Sequence, residues 1–266
     1  MRPNAVKKLL RAGKPAVGTW LTLGNIPSAR FLARSGFDWL TVDIEHSAVD
    51  IQTASTMLGA IADAGVVALA RVPSNSHEAI KRVLDNGGHG VVVPMVNSVE
   101  EAREAVSACL YPPKGTRSVG GSLHALSWDT TSAEYFAKVD SEVLIVLQCE
   151  HIDAVRKFEE IYSEPRIDCV FVGPSDLAAS LRKADGTSAT TDEFERTLET
   201  ILKVCKKLGV APGIHTFTAE DAKKRIQQGW QFVAIGSDQR FVSEGAARVM
   251  ATLKADAASS GGTATT

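Results

Sequence analysis

Short β-branched runs alternate with longer stretches of helical period along nearly the whole chain. The runs AVGTWL (16–21), DWLTVDI (38–44), VVALARV (66–72), GVVVPMV (90–96), EVLIVLQCE (142–150), IDCVFVG (167–173), GVAPGIH (209–215) and QFVAIG (231–236) read as eight strands. They are rich in Val, Ile and Leu, as strands covered on both faces are. Between them, IQTASTMLGAIADAG, SHEAIKRVLDNGG, SVEEAREAVSACL and TDEFERTLETILKVCKKLG carry helical spacing. Gly65, Gly88, Gly209 and Gly229 stand where helices should stop before the next strand. Eight such units predict the α/β class and a (β/α)8 TIM barrel. One domain is expected over residues 1–256, and the small, polar residues 257–266 are expected to be a disordered tail. A doubly wound open sheet ranks second, because no Gly-rich dinucleotide fingerprint follows the first strand. Residues 112–131 break the rhythm with a long Gly- and Ser-rich connection, the kind that forms lids or binding loops.

Composition changes this picture little. Of 266 residues, 44% are hydrophobic, which suffices for a large core, and the net charge of -2 gives no bulk attraction for nucleic acid or anionic membranes. No apolar run approaches the roughly 18 residues of a membrane helix. The basic start, MRPNAVKKLLRAGKP, lacks the apolar centre of a secretory signal and reads as a surface amphipathic helix. Cys109, Cys149, Cys169 and Cys205 show no CxxC or zinc spacing, so reduced, mostly buried thiols in a cytoplasmic protein are expected.

The polar residues collect at the C-terminal ends of the strands, where barrel enzymes carry their chemistry. The second strand ends in Asp43, Glu45 and His46, and the third in Arg71. The fifth ends in Gln148 and Glu150, the sixth in Gly173-Pro174-Ser175-Asp176, the seventh in His215 and the eighth in Gly236-Ser237-Asp238. Strand parity puts Gln148 and Glu150 on one face and Cys149 on the other. If Cys149 faces the helices, the two polar groups face the barrel mouth. Glu150 and Asp176 then form a carboxylate pair suited to a hard divalent cation such as Mg2+ or Mn2+, with Co2+ as a third option. Such a cation acts as a Lewis acid where charge builds on oxygen, and it suits a pyruvate-like 2-oxo acid. Arg71 offers a fork for a carboxylate or enolate oxygen. His46 is a candidate acid/base, with Asp43, Glu45 or Asp85 to orient it. Each residue also has a plainer reading: Asp176 as a helix cap, Arg71 as a structural ion-pair partner, His46 as a loop histidine. The convergence on adjacent strands favours the site. His89, His124 and His151 have no supporting spacing and read as surface or loop histidines.

GFDWLTVDIEHS (36–47), ARVPS (70–74), IKRVLDNGG (80–88), VVPMV (92–96), YPPKGTRSVGG (111–121), LQCE (147–150), VFVGPSDL (170–177) and APGI (211–214) together resemble the HpcH/HpaI family of metal-dependent class II pyruvate aldolases. The likeness runs in order from about residue 15 to about residue 250. It implies that Glu150 and Asp176 hold the metal. It implies that Arg71 and Gln148 hold the pyruvate oxygens, and that amides around Gly173, Pro174, Ser175 and Asp176 receive the carboxylate. It makes His46 the acid/base, paired with an Asp85 that reaches in from a neighbouring subunit. It also implies a homo-oligomer, a hexamer built as a trimer of dimers, with the last helix swapped onto a partner barrel. Three positions depart from the pattern. Gly88-His89 replaces an expected Ala-Gln, Cys149 an aliphatic residue, and His215 an apolar residue, often Leu, beside the substrate.

The resulting expectation is reversible aldol cleavage of a 4-hydroxy-2-oxo acid into pyruvate and an aldehyde. The alternatives are oxaloacetate decarboxylation, a reaction like that of macrophomate synthase on the same scaffold, or a non-catalytic barrel that binds a 2-oxo acid. The partners expected are the small-molecule 2-oxo acid and aldehyde, with no nucleic acid and no membrane.

Overall fold

The eight apolar runs pair side by side in chain order and close on themselves. The computed structural model, which describes residues 1–260, forms a closed barrel of eight parallel strands. They are β1 (Ala16–Leu21), β2 (Trp39–Asp43), β3 (Val67–Arg71), β4 (Gly90–Val93), β5 (Leu144–Gln148), β6 (Cys169–Val172), β7 (Ala211–Thr216) and β8 (Phe232–Ser237). The runs of β2 to β6 end beyond their strands and pass into the loops, whereas β7 and β8 each run one residue past theirs.

Strand parity divides the core in two. Alternate residues such as Trp20, Trp39, Leu69, Val146, Phe171 and Phe232 fill the barrel interior. Their neighbours, with Cys149 among them, pack outward against the helices in a larger second cluster. All four cysteines are free and buried, as expected. Inside the barrel, Trp39 stacks on Phe232 with ring centroids 4.0 Å apart and planes 6° from parallel. Gly18 on β1 makes room for this, because a Cβ there would fall inside the Trp39 ring and against its carbonyl oxygen.

The basic start of the chain does more than cover a surface. The helix Ala5–Arg11, capped by Asn4, inserts Val6 and Leu10 into the inner cluster. Its Lys7 donates to the Val143 carbonyl oxygen at 2.7 Å and pairs with Asp168 at 2.9 Å, both nearly sealed from water. This helix therefore plugs one end of the barrel and leaves chemistry to the other.

Gly65, Gly209 and Gly229 stop their helices in the left-handed region, but after the helix His77–Asp85 that role falls to Gly87 (φ 101°) rather than Gly88. Two histidines expected at the surface are buried. His89 is 4% exposed, accepts from the Ala68 N–H and meets the Ser127 carbonyl, and burial holds it down to about 4. His124 is fully enclosed, tilted against Tyr135 at 4.1 Å. His151 does lie in a half-exposed turn, where it caps the short helix Ile152–Arg156. The connection 112–131 is anchored rather than free. It holds the helix Leu123–Ser127 and a fully buried Arg117, whose guanidinium donates to Asp85 at 2.7 Å and to the Tyr135 hydroxyl at 3.0 Å. The last helix is described from Asp238 to Ser260, and residues 261–266 of the expected tail lie outside the described residues. No described helix is long and apolar enough to cross a membrane.

The interior packing yields a direct prediction. Gly18→Ala should destabilise the protein by about 3 kcal/mol or more through overpacking against Trp39. Urea unfolding should show a lower midpoint, and an unchanged midpoint would mean the inner layer is looser than described.

Candidate active site

The parallel register of β2 and β3 sets Asp43 beside Arg71 at the open end. Their side chains meet as a two-point pair, Nε to Oδ1 at 2.9 Å and Nη2 to Oδ2 at 2.6 Å. Asp43 is 2% exposed, and its Oδ1 also accepts the backbone N–H groups of Glu45 and His46 at 3.1 and 3.2 Å. One carboxylate thus shapes the turn and aims the guanidinium. Glu45 lies 3.3 Å from the Arg71 Nε and 3.7 Å from the His46 imidazole. Trp20 of β1 supports Arg71 from one side, with the guanidinium carbon 4.5 Å from the ring centroid.

Glu150 follows β5 and is almost fully buried. Its Oε1 accepts the Met95 N–H at 2.8 Å and its Oε2 accepts the Gln148 amide at 2.6 Å. Met95 itself adopts φ 53°, a left-handed conformation uncommon outside glycine, which places local strain beside the carboxylate. The second oxygen lies against β6. At Gly173 a Cβ would come within 2.6 Å of it, so only glycine lets the chain pass this close. Gly173 then starts the helix Pro174–Ser180 with no side-chain cap, and Asp176 sits in its first turn.

These side chains converge on one cavity of ≈ 360 Å³ at the barrel mouth. His46, Arg71, Gln148, Glu150, Gly173, Pro174, Ser175, Asp176 and His215 all line it. Asp85 does not: within one chain it pairs with Arg117 at the end of its helix and makes no bond to His46. Several lining groups carried no expectation from sequence. Trp20, Thr22, Phe217 and Arg240 belong to the wall, and Asp43 is the holder of Arg71 rather than a partner of the histidine side chain. Parity was the available signal for Trp20, which shares the inward face of β1 with Ala16.

The electrostatics are unbalanced toward negative. Burial pushes Glu150 up to about 7, and the nearby Asp176 and Glu45 add to the rise against the opposing Met95 N–H and Arg71. Glu45 is also raised, again chiefly by burial. Among the described residues, no three His, Cys, Asp or Glu side chains are grouped to enclose a metal ion. Two carboxylates whose charges oppose each other in a buried cleft still suit a hard cation that keeps several of its waters.

Residues 16–244 match the family described as HpcH/HpaI aldolase/citrate lyase. The chain belongs to the HpcH/HpaI family. It is 35% identical over 254 residues to the 4-hydroxy-2-oxo-heptane-1,7-dioate aldolase of Shigella sonnei, covering 96% of each chain. An HpcH/HpaI aldolase/citrate lyase family protein from Burkholderia cenocepacia superposes with a TM-score of 0.86 at 29% identity, covering 94% of this chain and 99% of that one. Macrophomate synthase matches with a TM-score of 0.81 at 22% identity, over 95% of this chain and 91% of its own, and this likeness concerns the fold alone. This HpcH/HpaI family member is a carbon–carbon lyase.

A stability measurement reports the charge imbalance without any assay of turnover. Because burial raises the folded pKa of Glu150 from 4.5 to about 7, the cost of its charge is absent below about pH 4.5, grows as pH rises from there to about 7, and is complete above that. That cost is on the order of 3 kcal/mol once the group is ionised. Metal-free Glu150→Gln should therefore melt above the metal-free wild type at pH 8, and the gap should close at pH 5. A variant that melts lower at pH 8 would show that Glu150 is compensated by its hydrogen bonds.

Proposed function

We propose that the enzyme catalyses reversible aldol cleavage of a 4-hydroxy-2-oxo acid into pyruvate and an aldehyde, with Mg2+ or Mn2+ held by Glu150 and Asp176. The observation that carries this reading is the paired acidic groups beside the guanidinium of Arg71 in one buried-walled cavity. A divalent cation held there by Glu150 and Asp176 would supply Lewis-acid stabilisation of the negative charge that develops on the 2-oxo oxygen.

The chain's own groups carry the other steps. Arg71, immobilised by Asp43 and the Trp20 face, holds the 2-oxo and carboxylate oxygens of the pyruvate half. The Gln148 amide, bonded to Glu150, orients that carboxylate and lies beside the same oxygens. The uncapped first turn after Gly173 offers the Ser175 and Asp176 amides to the substrate carboxylate. His46 takes the proton of the 4-hydroxyl as the C3–C4 bond breaks, the carbonyl of the aldehyde forms, and the electron pair moves to the C2–C3 unit. The same proton returns to C3 and pyruvate leaves. His46 is well exposed at the mouth, within reach of an entering substrate.

The active assembly in this reading is a homo-oligomer, in which a neighbouring copy supplies Asp85 to His46. The buried Arg117 supports this, because it pairs with Asp85, which makes no bond to the His46 of its own chain. Exposed apolar residues on the last helix, including Val242, Val249 and Leu253, suit packing on a partner.

Pyruvate release should be assayed with added metal against 4-hydroxy-2-oxoheptanedioate, oxaloacetate and a sugar-acid analogue. Glu150→Gln should lower kcat/KM for the 4-hydroxy acid by about a thousandfold or more, and full activity in excess chelator would defeat the proposal. His46→Ala should lower aldol cleavage by about a hundredfold or more. It should spare oxaloacetate decarboxylation, which has no hydroxyl proton to remove. Equal losses on both substrates would take the proton-transfer role away from His46.

A further inference from the structure

His215 stands at the mouth end of β7, on the inward face it shares with Ala211 and Gly213. Its ring meets the edge of Trp20 and lies perpendicular to Phe217, with centroids 4.8 Å apart and an interplanar angle of 84°. The Trp20 indole Nε1 donates to the His215 Nδ1 at 3.0 Å. An indole N–H only donates, so Nδ1 must be the unprotonated nitrogen, and the ring proton of the neutral imidazole resides on Nε2. No hydrogen bond among the described residues uses Nε2, and it is not among the sealed polar atoms without a partner. Burial, aided by Arg71 and Arg240, holds the imidazole down to about 4, so it stays neutral across the working range.

That combination excludes a second acid/base. Nε2 bears a proton and has no lone pair to accept another, and Nδ1 is occupied. What remains is a fixed, neutral N–H donor in the cavity wall. Its position follows from Trp20, whose face carries Arg71 and whose edge carries His215. One rigid indole therefore spaces the group that holds the pyruvate half from the donor beyond it. The neighbouring cation, Arg240, pairs with Glu244 at 2.6 Å.

We infer that His215 selects the aldehyde: its Nε2–H donates to a hydroxyl oxygen on the carbon next to the aldehyde carbonyl, favouring hydroxyaldehydes over their deoxy counterparts. This rests on the aldolase reading above, with His215 as a specificity residue that takes no part in bond making.

The test is the aldol direction, with pyruvate, Mg2+ and either glycolaldehyde or acetaldehyde. The wild type should prefer glycolaldehyde in kcat/KM by about five- to tenfold, the worth of one well-placed neutral hydrogen bond. In His215→Leu the ratio should fall to near one, chiefly through a higher KM for glycolaldehyde. In His215→Gln, whose amide also donates, part of the preference should persist. The 15N spectrum of histidine-labelled wild type, assigned by loss of the signal in His215→Gln, should show Nδ1 bare and Nε2 protonated. An unchanged ratio in His215→Leu, or a proton on Nδ1, overturns the inference while leaving the aldolase reading intact. No condensation of either aldehyde by the wild type overturns both.

Discussion

Buried negative charge at the barrel mouth is the constraint on which the rest of the site depends. Asp43, Glu45, Glu150 and Asp176 gather near the Arg71 guanidinium, which already pairs with two of them. Carboxylates in such a cleft repel one another and lose the water that would screen them. The protein answers locally with a strained Met95 amide and the Gln148 side chain directed at Glu150. Those contacts leave the acid still drawn toward its protonated form. A divalent cation would offset that imbalance, and in the proposed reaction it would stabilise the charge that develops on the 2-oxo oxygen.

The fold serves this arrangement by being asymmetric from end to end. The N-terminal helix seals one mouth with Val6, Leu10 and the enclosed Lys7–Asp168 pair. Aromatic and branched side chains fill the middle, where Trp39 and Phe232 stack beside the space left by Gly18. The charged groups of the site collect at the far ends of the strands. There, parallel register converts neighbours on the ladder into partners in the site, most clearly Asp43 with Arg71. Trp20 joins the two regions: its ring closes the inner core, while its face and its N–H position Arg71 and His215.

The barrel was legible because its strands are near-continuous apolar runs separated by helices with clear stops, and parity alone oriented Gln148, Glu150 and Cys149 correctly. Most of the candidate site was legible for the same reason, since strand ends in a barrel converge wherever they fall in the chain. What escaped notice depended on contacts between distant segments. Burial of His89 and His124 comes from the packing of the 112–131 connection, which no local pattern encodes. The N-terminal helix looked like a surface element because its two apolar positions are few; only the open end of a barrel makes them a plug. Asp85 pairs with Arg117 within one chain, a contact between segments that the local pattern does not announce.

Direct titration of Mn2+ into the metal-free protein at pH 8, followed by the electron paramagnetic resonance of the free ion, tests the central claim most plainly. The account predicts one site per chain in the wild type, with binding lost in both Glu150→Gln and Asp176→Asn. A wild type that binds no Mn2+, or variants that bind it as tightly as the wild type, would contradict it.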